Sequence, residues 1–177
     1  MKILAHRGLW DTASEMNSMK AFSVALKRGF GIETDLRDLN GELVISHDPP
    51  NLPGIRFIDL LEMYLEFSAS LPLALNIKSD GLAFSMQHLL KKFEIENYFV
   101  FDMSVPDALH YLRRGMNTYT RQSEYEPVPA YYEKAKGVWL DEFEGHWPSD
   151  EVIEQHLAAS KSVCIVSPEL HQRSYEK

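Results

Sequence analysis

Residues able to do chemistry gather in the first half of the sequence, each at the end of a short apolar run. His6-Arg7-Gly8 closes one run, Glu33-Thr34-Asp35 lies in the next, His47-Asp48 closes a third, and Asn76 with Lys78 ends a fourth. Side chains alternate faces along an extended strand, so Glu33 and Asp35 share a face, about 6.6 Å apart along the strand. Two inward carboxylates repel one another unless a proton or a hard cation sits between them, and oxygen ligands select Mg²⁺ or Ca²⁺. Arg7 can hold phosphate oxygens through its planar fork and Lys78 as a point charge. His6 and His47 can divide the roles of general base and general acid near neutrality. Together these residue types describe metal-assisted phosphoryl transfer at a phosphodiester.

The elements that must position this set are legible as an alternation. Strand-type runs fall at Ile3–Ala5, Gly31–Leu36, Glu42–Ser46, Leu73–Ile77, Tyr98–Phe101, Asn117–Arg121, Val138–Leu140 and Val163–Val166. Helical spacing separates them over Ser18–Lys27, Phe57–Phe67, Ala83–Phe93, Pro106–Arg114 and Asp150–Ala159. Ser104-Val-Pro and Pro148-Ser-Asp-Glu are helix starts, and Gly29 and Gly115 sit where left-handed helix caps belong. Alternation at this pace predicts right-handed crossovers and a parallel sheet. Eight strand candidates suit a closed (β/α)₈ barrel, and a doubly wound open sheet is the rival arrangement. In either one, polar groups at successive strand ends mark the active-site face.

Composition narrows the classes further. At 177 residues, 45% hydrophobic and 25% charged, the chain is expected to form a single soluble domain over residues 1–177. Its one cysteine, Cys164, excludes an intramolecular disulfide and a Cys-rich zinc site. A net charge of −8 argues against nucleic acid as partner, because neutralising phosphates needs a basic face. No run of 18 apolar residues predicts a membrane span, and Met1–Ala5 lacks the apolar core of a leader, so a cytoplasmic location is expected. His88, His110, His156 and His171 read as surface or structural residues. His146-Trp147 could as easily touch substrate as pack on the rim, while Asp38 and Asp48 read as turn residues.

The ordered set His6-Arg7-Gly8, Asn17-Ser18-x-x-Ala21-Phe22, Gly31-x-Glu33-x-Asp35, Asn40-Gly41 and His47-Asp48 resembles the signature of the glycerophosphodiester phosphodiesterases. That family belongs to the phosphatidylinositol-phospholipase-C-like superfamily of TIM barrels. The resemblance implies a compact (β/α)₈ barrel, here with no helix after the eighth strand. It implies His6 and His47 as the acid/base pair, Arg7 on phosphate, and Glu33 and Asp35 on one divalent cation. The expected substrate is a small phosphodiester of glycerophosphodiester type. Two alternatives stay open: a lyase-like phosphodiesterase that stops at a cyclic phosphate, and a degenerate barrel that binds a phosphorylated ligand without turnover. This chain departs from the family twice. Asn76, in Leu75-Asn76-Ile77-Lys78, replaces the third metal carboxylate by an uncharged amide, with Asp141 or Glu169 as candidates to compensate. Glu15 is displaced by one residue from the usual Glu-Asn pair, which separates it from the site set.

Overall fold

The computed structural model describes residues 1–67, 70–145 and 148–174. The chain forms two compact units, Met1–Met116 and Asn117–Lys177. The first contains β1 (Leu4–His6), α1 (Met19–Lys27), β2 (Gly31–Leu39), β3 (Glu42–Ile45), α2 (Phe57–Phe67), β4 (Leu73–Ile77), α3 (Ala83–Lys92), β5 (Tyr98–Phe101) and α4 (Val105–Arg113). Its sheet runs β1-β2-β4-β5, all parallel, with β3 attached to β2. The second unit contains β6 (Tyr119–Gln122), β7 (Gly137–Leu140), α5 (Asp150–Ala158) and β8 (Ser162–Ile165), with the three strands parallel in that order. Parallel strands alternating with helices are the α/β class the sequence implied. Among the described residues no helix is long and apolar enough to cross a membrane.

Local signals account for the helices that flank the first sheet. The Ser18 hydroxyl accepts the Ala21 N–H at 3.1 Å and starts α1, whose buried face is Ala21, Phe22, Ala25 and Leu26. α2 buries Phe57, Leu60, Leu61 and Tyr64, the i, i+3, i+4, i+7 stripe of a helix laid on a core. α1 packs against both α2 and β2. Phe22, Ile32, Leu36, Leu60 and Leu75 have no solvent exposure, and burying each such side chain stabilises the unit by roughly 1.5–3 kcal/mol. Gly29 and Gly115 both take positive φ just past helices, as their positions predict.

One strand differs from the expectation. β3 is antiparallel to β2, pairing Leu36 with Ile45 through Leu39 with Glu42. The cause is local: Asn40 and Gly41 both have positive φ, 53° and 85°, the backbone of a tight hairpin turn. β2 therefore extends to Leu39, past its expected end at Leu36, and Asp38 is a strand residue accepting from Ser79 Oγ rather than a turn residue. Past β8 a single 3₁₀ turn, Pro168–His171, stands where no helix was expected.

The turn after β1 is tightly packed against α1. Gly8 has φ +83°, and a Cβ there would lie 2.7 Å from the Ala21 backbone of α1. Its N–H donates to Ala5 and the next N–H donates to Ala21, locking β1 to α1. Gly8→Ala is expected to destabilise the protein by about 1–3 kcal/mol, through left-handed strain and overpacking. Urea denaturation checks this, and a midpoint equal to that of the wild type would contradict it.

Candidate active site

Strand register assembles the site within the Met1–Met116 unit. β1 and β2 place His6 opposite Glu33, and β2 and β4 place Asp35 opposite Asn76. The side chains emerge toward the carboxyl ends of parallel strands, the usual active-site end of such sheets. Glu33 is 2% exposed, Asp35 1% and Asn76 8%. Carboxylates so deep persist only with charge or hydrogen-bond partners.

Asp35 has the densest partnership. Arg7 Nε and Asn17 Nδ2 both lie 2.9 Å from its Oδ2, and Lys78 Nζ is 3.6 Å from Oδ1. The Arg7 Nε–H is not aimed along a hydrogen bond, so that contact is electrostatic. Asn17 also accepts from Thr34 Oγ1 at 2.8 Å, bridging adjacent residues of β2. Lys78 donates in turn to Asp102 Oδ2 at 3.3 Å.

Glu33 is held differently. It accepts the Arg7 backbone N–H at 3.2 Å and a hydrogen bond from the Asn76 side chain. Burial, helped by the charge of Asp35, pushes its carboxyl up to about 8. His6 Nε2 stands 3.7 Å from Glu33 Oε2. Burial, then the Arg7 charge, lowers His6 to about 4, with smaller lowering contributions from Lys78 and His47. At neutral pH a neutral imidazole therefore faces a protonated carboxyl, and the contact is not an ion pair.

His47 arrives by the hairpin rather than at the end of a parallel strand, which corrects the expectation. Ser46 N–H donates to the Asp35 carbonyl at 3.1 Å, and Arg37 Nε donates to the His47 carbonyl at 2.9 Å, fixing where β3 ends. The half-exposed ring has Nδ1 2.8 Å from Asp48 Oδ1. Asp48, expected as a turn residue, thus orients an imidazole.

The donor set fits a hard divalent cation. Asp35 Oδ1 and Asn76 Oδ1 are buried acceptors without a hydrogen bond, on facing residues of adjacent strands, beside a Glu33 carboxyl that burial keeps protonated. Among the described residues no three His, Cys, Asp or Glu side chains form a metal cluster, and Asn76 would have to serve as the third donor.

Other expected residues have partners of their own. Glu15 accepts from the Asp11 N–H and pairs with Lys20 on the surface. In the Asn117–Lys177 unit, Asp141 is 2.6 Å from His171 Nε2 and Glu169 accepts from Ser167. His156 is structural, wedged between Tyr132 and Gln122. His146 and Trp147 lie outside the described residues. Two site residues escaped the sequence reading as such: Asn17, present in the motif without a role, and Asp102, the residue that follows β5.

The raised Glu33 carboxyl has a consequence for stability. Its folded value of about 8 lies above the ordinary 4.5, so protonation favours the folded state. That contribution is complete below about pH 4.5 and is lost as pH rises toward about 8. In EDTA, Glu33→Gln is expected to gain in Tm over the wild type progressively across that window. Thermal denaturation at several pH values checks this, and parallel profiles for the two proteins would contradict it.

No family model matches the chain, and no curated protein matches it by sequence. Solved structures do. A Galdieria sulphuraria protein assigned as a glycerophosphodiester phosphodiesterase superposes with TM-score 0.80 at 20% identity, over 99% of this chain and 87% of that one. An Oleispira antarctica phosphodiesterase, in complex with the product sn-glycerol-3-phosphate, gives 0.74 at 14% identity over 94% and 84%. The Agrobacterium tumefaciens glycerophosphodiester phosphodiesterase gives 0.72 at 16% identity over 93% and 85%. The chain has the fold of the glycerophosphodiester phosphodiesterases, the TIM-barrel type implied by its motifs.

Proposed function

We propose that this chain is a cytoplasmic, divalent-metal-dependent phosphodiesterase that hydrolyses a small glycerophosphodiester. The observation that carries this reading is the convergence of His6, Arg7, Glu33, Asp35, Asn76 and Lys78 on adjacent strand ends, with two buried oxygens lacking hydrogen bonds. The product complex of the Oleispira antarctica phosphodiesterase of the same fold supports the substrate class.

Glu33, Asp35 and Asn76 Oδ1 would hold one Mg²⁺ or Ca²⁺, which supplies Lewis-acid neutralisation of charge on the phosphoryl oxygens. Arg7 and Lys78 bind those oxygens, Arg7 through its two Nη groups, of which Nη1 also donates to Met16 Sδ at 3.8 Å. His6, kept neutral by burial and by the Arg7 charge, is the base that takes the proton from the attacking water, or first from a substrate hydroxyl whose cyclic phosphate water then opens to the phosphomonoester. His47 carries the proton given to the leaving alkoxide. Asp48 accepts from its Nδ1 and so directs Nε2 to that task.

Hydrolysis of glycerophosphodiesters, followed by phosphorus NMR, tests the proposal. Phosphomonoester is expected to accumulate, EDTA to abolish turnover, and His6→Ala and His47→Ala each to lower kcat by roughly 10²–10⁴-fold. Full activity in chelator, unimpaired histidine variants, or ligand binding without turnover would overturn it. A cyclic phosphate as the sole product would assign the lyase outcome instead.

A further inference from the structure

We infer that Asp102 is a positioning residue for the cation site: it draws the Lys78 ammonium away from Asp35 and so keeps Asp35 Oδ1 available as a ligand. This rests on the metal site proposed above. Lys78 Nζ lies between two carboxylates, and the two contacts differ in kind. It donates a hydrogen bond to Asp102 Oδ2 at 3.3 Å, while Asp35 Oδ1, at 3.6 Å, is buried and has no hydrogen bond. The ammonium is thus shared between the two carboxylates, with its hydrogen bond given to Asp102.

The backbone points the same way. Asp102 has φ 69°, a left-handed conformation unusual for a residue with a side chain, directly after β5. β5 is the strand next to β4, which carries Asn76 and Lys78. From this position the carboxylate accepts from the lysine of the neighbouring strand. Electrostatics explains why such a device matters in this chain. Asn76 brings an oxygen without charge, so Asp35 supplies much of the site's negative potential, and an ammonium bonded to Oδ1 would compete directly for the cation.

Removing the charge of Asp102 is therefore expected to let Lys78 close on Asp35 and weaken cation binding. Loss of an outer-shell partner of this kind typically costs 10–100-fold in metal affinity. The test is Mn²⁺ affinity, read by electron paramagnetic resonance on the full chain without substrate, for wild type, Asp102→Asn, Lys78→Met and the double variant. Asn accepts the left-handed backbone, and Asp102→Gly provides the same charge loss if Asp102→Asn fails to fold. The expected result is a Kd raised 10–100-fold in Asp102→Asn and returned to the wild-type value or below once Lys78→Met is added. A purely structural role would not give that rescue. Wild-type affinity in Asp102→Asn, or weakening that persists in the Lys78→Met background, would overturn the role of Asp102 alone. Absence of Mn²⁺ binding by the wild type would overturn the metal site and this inference together.

Discussion

Two carboxyl groups on one face of a single strand, both removed from water, govern how this molecule is built. Glu33 and Asp35 cannot both be ionised in that setting without compensation. The chain resolves the conflict asymmetrically. Asp35 is surrounded by Arg7, Lys78 and the Asn17 amide, whereas Glu33 is surrounded by the Arg7 N–H, the Asn76 side chain and an uncharged imidazole. Asp35 is thereby matched by cationic partners, while burial favours a proton on Glu33.

Much of the nearby backbone bends to serve that arrangement. Arg7, Asn17 and Asp102 all adopt left-handed φ, 55°, 54° and 69°, and each touches Asp35 or its lysine partner. Such conformations cost of order 1–3 kcal/mol each and persist where surrounding packing over-determines them. The packing here is the Gly8 turn pressed onto α1 and the buried stripe that joins α1 to α2. The hairpin acts on the other side. Its return strand ends with the Ser46 N–H on the Asp35 carbonyl, one residue before His47, where a parallel strand of the same length would return only after a crossover helix.

Part of this was legible in the residues. Period-two spacing put Glu33 and Asp35 on one face, and helical stripes placed α1 to α5 to within about two residues at each end. The direction of β3 was not read, although Asn40-Gly41 is a hairpin signal, because alternating polarity looks the same whichever way a strand runs. Asn17 and Asp102 act through partners 18 and 24 residues away, which spacing rules do not reach. Asp102 follows the same strand-end logic as His6 and Lys78, applied one strand further. Asp48 was read as a turn residue because Pro49-Pro50 dominates its local context, while its contact with His47 depends on a rotamer.

On the proposed reading, Glu33, Asp35 and Asn76 would gather around a divalent ion that holds a phosphorus ester. The most direct measurement is anomalous diffraction from crystals soaked in Mn²⁺ and inorganic phosphate. The account predicts an anomalous peak about 2–2.6 Å from oxygens of all three side chains, with phosphate reaching Arg7 and Lys78. A manganese ion bound elsewhere, or phosphate bound with no ion between the carboxylates, would contradict it.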